Sequence, residues 1–483
     1  MFDTTGRNPA VKRSGETRTR YSLAVTDVDP RVWRIGIVTV LGTVMSVLDT
    51  TIVNIAIDPL ARALHSDLSA ISWVVTAYLL AIAAISPIAG WATRRVGTRT
   101  LYLLSLVLFT LGSLACGLAW DTPSLVVARV FQGAGGALLM PVGQSIIMTA
   151  AGRENLGRVM GTLGVPTVLA PVVGPTLGGF LLESFSWRAI FLINLPIGVV
   201  AFVLARRILP RDAGHPTYRL DLLGLVLGSA GLSLVTYGLS EVASRPTILR
   251  AIVVGPVLAG IVLLVTFVRH ALGREHPLLD LRLFTAPGYA LASTAVFVNG
   301  ATSLGGLILL PLYLQGIRHE SATTTGLLVA PTALGVVFLM RYAGRLTDQF
   351  GGGRVSTIGT VIVVLGTLPL AWIDPTSSYW FICGAMFVRG LGTALSGMPL
   401  MAAALTSIDQ RKAADGTAQL FVLQRVGGSL GTALFIVILQ RTTSFGTTYA
   451  AVVALTALSM VPVLALAASE KRTRSVDYAR SSG

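Results

Sequence analysis

Charge is scarce in this chain. Only 12% of its 483 residues are charged and 53% are hydrophobic, with a mean hydropathy of +0.74. Water-soluble domains carry charge on about a quarter of their residues, so a soluble globular domain is excluded and a bilayer is the expected surrounding. Cysteine is nearly absent. Cys116 and Cys383 are the two present, each in an apolar stretch without ligand spacing, which excludes a disulfide framework and a thiolate metal site. The five histidines, His65, His215, His270, His276 and His319, are scattered, so no metal or cofactor is expected. A polytopic membrane enzyme or sensor would need such a cluster or a soluble domain. Lysine is also rare, 3 against 34 arginines, within a net charge of +15. Because that excess sits in short loops between apolar runs, it points to membrane topology and away from a nucleic-acid partner.

What the chain has in abundance is long apolar runs. Fourteen are near 35–57, 71–90, 101–120, 124–148, 160–182, 187–205, 222–240, 251–268, 289–313, 324–340, 355–373, 378–402, 416–440 and 447–468. Each is long enough to cross a hydrocarbon core of roughly 30 Å. Unpaired backbone groups are costly in lipid, so continuous apolar runs of this length must be helices and the fold class all-α. Placing both termini and the even-to-odd connections on one side collects 28 of the 37 lysines and arginines there. By the positive-inside rule that side is cytoplasmic. The first thirty residues, with Arg7, Lys12, Arg13, Arg18 and Arg20 and no apolar core, read as a cytosolic tail.

Segments recur at nearly one offset. Gly90-Trp-Ala-Thr-Arg-Arg-Val-Gly97 returns as Gly344-Arg-Leu-Thr-Asp-Gln-Phe-Gly351, Gln132-Gly-Ala-Gly-Gly-Ala-Leu138 as Arg389-Gly-Leu-Gly-Thr-Ala-Leu395, and Gly174-Pro-Thr-Leu-Gly178 as Gly427-Gly-Ser-Leu-Gly431. The order and spacing imply two six-helix halves with a two-helix insertion. The expected division is a tail at 1–34, a first bundle at 35–205, an inserted pair with linkers at 206–285, a second bundle at 286–468 and a tail at 469–483.

Against this apolar background a few polar residues stand out. Asp49 is the sole acid well inside any run. A carboxylate there must face water, pair with a cation or carry a proton, and a structural anchor bonded to Thr50, Thr51 or Asn54 is the competing reading. Arg129 is the matching cation, a fixed charge able to bias a titrating acid, with snorkelling to the interface as its alternative. The same two readings compete for Arg425, whereas Arg389 aligns with Gln132 and not with Arg129. Gly90 to Leu101 and Gly344 to Gly359 are expected as tight connections. Their charges would form a latch between the halves, or signal topology alone. Gly174, Pro175, Gly178 and Gly179 predict either a hinge or a close helix contact.

Taken in order, these pieces resemble the major facilitator superfamily, in particular its fourteen-helix drug:proton antiporter branch. Leu48-Asp49-Thr-Thr-Ile-Val-Asn54 is similar to the branch's first-helix signature, Gly90 to Leu101 to motif A, Arg129-Val-Phe-Gln132-Gly133 to motif B and Gly174-Pro175-Thr-Leu-Gly178-Gly179 to motif C. Trp187-Arg188-Ala-Ile-Phe191-Leu-Ile-Asn194-Leu-Pro196-Ile-Gly198 resembles the start of its sixth helix. The resemblance implies a major facilitator fold and export of amphipathic small molecules by alternating access. The proton gradient would drive it without a cofactor, across the cytoplasmic membrane, in a protein expected to be monomeric. It implies proton coupling at Asp49 and Arg129 and an antiport hinge at Gly174, Pro175, Gly178 and Gly179. The implied gate comprises Gly90, Arg95, Gly97, Arg99, Gly344, Asp348, Gly351 and Arg354. Asn54, Gln132, Gln144, Asn299 and Arg425 are expected to line the substrate cavity. One position departs from the pattern: motif A usually has an aspartate where this chain has Arg94, while the second copy keeps Asp348. The gate is therefore expected to rest on Asp348 and Arg354 ahead of Arg94. An importer or facilitator of one metabolite on the same scaffold is the main rival, and motif C counts against it.

Overall fold

The computed structural model describes residues 28–212, 214, 220–244, 251–275, 277–409 and 412–481. Every apolar run falls on a helix. The first bundle holds α1 (Pro30–Ile55), α2 (Ala70–Val96), α3 (Thr98–Gly117), α4 (Thr122–Gly152), α5 (153–184) and α6 (Ala189–Ile208). The inserted pair is α7 (Leu222–Ser244) and α8 (Ala251–Gly273). The second bundle holds α9 (Pro287–Gly316), α10 (Ala322–Phe350), α11 (Gly352–Trp372), α12 (Tyr379–Thr406), α13 (Ala413–Thr442) and α14 (Phe445–Lys471). Among the described residues twelve of these are long and apolar enough to cross a membrane, and thirteen with α10, which bends by 48°. The remaining segment, α5, continues from α4 past a break at Gly152, whose φ is +68°.

Local chemistry sets the ends. Asp29 caps α1 ahead of Pro30, and Asp121 and Ser124 form a reciprocal capping box at the start of α4, satisfying amides the helix leaves open. The motif A copies are not the loops expected from the sequence. Gly90 to Val96 and Gly344 to Phe350 remain helical, and each turn narrows to one residue, Gly97 at φ +86° and Gly351 at φ +93°. Only glycine adopts that backbone without strain, so a single residue reverses the chain. Neither glycine has a side chain to cap the next helix, and another segment supplies one. Asp212, after α6, accepts from the Thr98 and Arg99 amides, the latter at 3.1 Å. Glu470, at the end of α14, accepts from the Gly353 amide at 3.0 Å. The repeat thus extends to paired caps. The helix containing Glu470 runs on to Ser481, so the expected tail at 469–483 is helical across its described part.

Packing joins the halves from one end to about mid-helix, where Val165 and Val168 of α5 meet Val336 and Met340 of α10. At the motif end, where Gly97 and Gly351 lie, one apolar cluster takes Met148, Leu156, Val159 and Met160 from α4 and α5. The same cluster takes Tyr289 from α9, Leu400 and Leu405 from α12, and Phe421 from α13. At the opposite end each bundle has its own core. Ile52, Ile71, Cys116, Leu125 and Ile190 pack in the first, and Leu309, Tyr313, Leu370, Phe435 and Tyr449 in the second. The bundles are therefore closed on each other at the motif end and parted at the far end. The insertion flanks them: Tyr237 of α7 stacks on Trp73 of α2 at 6.1 Å, and Leu239 packs on Ala433 of α13.

Candidate functional site

Asp49 lies near the far end of α1 and is wholly buried. Arg129, 1% exposed, rises from α4 and donates Nη1 to Asp49 Oδ2 at 2.5 Å. Asp49 Oδ1 accepts from Gln132 Nε2 at 2.8 Å and from Asn194 Nδ2 at 3.1 Å. Both amides also donate to Ser113 Oγ at 3.0 Å, and that hydroxyl donates in turn to the Phe191 carbonyl at 2.8 Å. Arg129, Gln132 and Asn194 all donate to the carboxylate, so both of its oxygens are satisfied within a low-dielectric core. Arg129 is held from its other side by the Val74 carbonyl at 3.1 Å and by the Tyr78 ring, 4.0 Å from its guanidinium carbon. Tyr78, also fully buried, reaches Ser46 on α1 at 3.0 Å.

This node answers several expectations. Asp49 and Arg129 meet, and Asp49 is neither bonded to Thr50, Thr51 or Asn54 nor open to the cleft. Gln132, expected in the substrate cavity, is instead a ligand of Asp49. Cys116 donates to Gln132 Oε1 at 3.3 Å. Asn194 and Ser113 were missed as functional residues. Asn194 stood in plain view in the sixth-helix stretch, an amide in an apolar run, whereas a serine facing its own bundle carries no sequence signal.

The other expected residues divide by place. Asn54 is exposed, Asn299 half-buried with its amide 3.4 Å from Ser396 Oγ, and Gln144 buried with Oε1 unpaired. Gly174 and Gly178 pack against Thr51, Ile52 and Ile55 of α1, close in sequence to Asp49, while the space around Gly179 is open. The side chain of Pro175 lies outside the described ones. The helix runs through this segment unbroken, so motif C fastens α5 to α1 in this conformation.

Of the expected gate residues, Gly90, Gly344 and Asp348 make contacts between the halves. Asp348 accepts from the Gly157 and Arg158 amides, both at 2.9 Å, and Gly157 and Gly344 meet backbone to backbone. In the other copy Arg94 pairs with Asp415, in the first turn of α13, whose side chain rests on Gly90. Acids in a first turn are favoured by the helix dipole, so Asp415 makes the start of α13 an acceptor for Arg94. Arg94 is thus paired across the halves as Asp348 is, with the signs exchanged. Arg354 is exposed; Arg95 is half-buried beside Gly214, and Arg99 donates to the Arg206 carbonyl. The acid that would have revealed this, Asp415, sits at the very edge of an apolar run.

The comparisons decide the family. The model of the Major Facilitator Superfamily matches residues 39–432. The chain belongs to that superfamily. It is 38% identical over 415 residues to the multidrug resistance protein B homolog of Mycobacterium tuberculosis, covering 85% of this chain and 77% of that one. It is 31% identical over 409 residues to YhcA, an MFS-type transporter of Bacillus subtilis, with the same coverage. Among solved structures, the human organic anion transporter MFSD10 (TETRAN) matches with a TM-score of 0.66 at 14% identity, over 90% of this chain and all of that one, a likeness of fold. The chain is thus a multi-span major facilitator transporter with small-molecule cargo.

Proposed function

We propose that the protein exports amphipathic small organic molecules across the cytoplasmic membrane in exchange for protons. The observation that carries this reading is the sealed Asp49–Arg129 node inside a bundle whose halves meet at the motif end and part at the far end. With the arginine-rich motif end on the cytoplasmic side, as charge asymmetry favours, this conformation opens outward. A proton bound at Asp49 Oδ2 competes directly with Arg129 Nη1 for the same oxygen. Neutralising the acid frees Arg129 from α1, and α4 can then move relative to α1. Substrate and proton favour opposite facings, and their exchange follows from that differential binding. The 38% identity to a relative named for multidrug resistance supports export. In proteoliposomes, substrate-stimulated proton flux is expected from the native chain and not from Asp49→Asn; flux that survives the substitution overturns the assignment of the carrier.

A further inference from the structure

We propose that Arg425 receives an anionic group of the substrate, so that the cargo is an amphipathic organic acid, a refinement that rests on the exporter reading above. The first support is the balance of charge inside the bundle. Arg129, Arg389 and Arg425 are the cations well inside the described spans, and Asp49 cancels only Arg129. Among the described residues, two guanidinium charges are left without a carboxylate partner. Arg389 is 5% exposed, donates Nη2 to the Thr302 carbonyl at 3.1 Å and leaves Nη1 buried with no partner. A cation this far from water is costly unless an anion accompanies it.

Position supplies the second support. Arg425 lies seven residues beyond Ala418, two helical turns along α13, and so on the same face. Ala418 packs into the core of the first bundle. Arg425 therefore points from the second bundle towards the first, at a level where the bundles have begun to part, and its side chain is exposed. Arg389 of α12 reaches α9 close by: Gln424 of α13 packs on Gly300 and the Arg389 guanidinium on Gly306, six residues or about 9 Å of axial rise apart on α9. The cleft is thus lined by an accessible guanidinium and backed by a buried one. Asp49 is already held by three donors.

A guanidinium offers a planar fork that matches carboxylate or sulfonate, while a cationic guest meets uncompensated like charge.

Fluorescein and rhodamine 6G share a xanthene body and carry opposite charge. Fluorescence polarisation with the full chain in nanodiscs is expected to show tighter binding of fluorescein than of rhodamine 6G. Arg425→Gln should weaken fluorescein binding at least about tenfold, Arg425→Lys should lose less, and neither should weaken rhodamine 6G. A smaller loss in Arg425→Gln, preference for rhodamine 6G, or binding of neither dye overturns the inference. Proton-driven dye movement in inverted vesicles separates the two readings. Arg425-dependent fluorescein binding without gradient-driven movement overturns export and leaves the anion site standing. Pumping of rhodamine 6G with no fluorescein bound leaves export standing and removes the anion site.

Discussion

The exchanged signs at the closed end predict the outcome of a charge swap. Arg94 and Asp415 are 21% and 7% exposed, so the pair is partly shielded from water. Breaking a fully buried pair costs about 3–5 kcal/mol and an exposed one under about 1 kcal/mol; this pair lies between, near 2 kcal/mol. That shifts the balance between closed and open motif ends roughly thirtyfold. Arg94→Asp places two carboxylates side by side, and Asp415→Arg places two guanidiniums there, so each single change should open the motif end. The double change restores an ion pair with its signs in the order that the second copy uses for Asp348, and should bring closure most of the way back. Pulsed EPR distances between spin labels at the motif ends of α3 and α12 read the two populations directly. If the double variant is no closer to the native distribution than either single one, this ion pair does not hold the halves together.

Three further outcomes follow from named contacts. Arg129→Gln leaves a wholly buried carboxylate without its cation and should cost about 3–5 kcal/mol, of which the Asp49→Asn, Arg129→Gln double variant recovers a large part; melting in detergent measures the cycle, and a coupling below about 1 kcal/mol would argue against a paired node. A methyl added at Gly157 would lie 2.5 Å from Asp348 Oδ1 and 2.7 Å from the Gly344 carbonyl, so Gly157→Ala should destabilise closure by about 1–3 kcal/mol, whereas Gly179→Ala, with nothing within 4 Å, should change the same EPR distances little. Asp221, before α7, is buried enough to disfavour its charge, yet the Gly224 amide and His270, 2.8 Å away, outweigh that and hold its carboxyl below the usual range. A lowered folded value means stability that is present above the unfolded pKa of about 3.9 and lost as pH falls through the lower folded one; melting followed from pH 6 to 3 should show the loss, and Asp221→Asn should flatten it.

Residues whose role is local were legible in the amino-acid sequence. The helices could be read because bilayer span and backbone satisfaction leave no other solution for long apolar runs. The repeat could be read because three segments recur at one offset, and Asp49 and Arg129 could be singled out because charge in an apolar run is conspicuous. Gln132 was placed in the wrong company for a specific reason. On a helix, the face turned to a cleft and the face turned to the bundle's own core are both polar-tolerant, and sequence spacing does not distinguish them. The same ambiguity hid Ser113 and left Asn194 without a role.

What the chain determined alone is the set of helices, the repeat within them and the short inventory of charges the bilayer must tolerate. What only the tertiary structure decided is which of those charges meet. Asp49 finds Arg129 and Arg94 finds Asp415 across 80 and 321 residues of chain, while Arg389 and Arg425 find no acid among the described residues. Coulomb energy depends on separation in space, and separation between helices is set by glycine contacts, caps and bends that no linear spacing encodes.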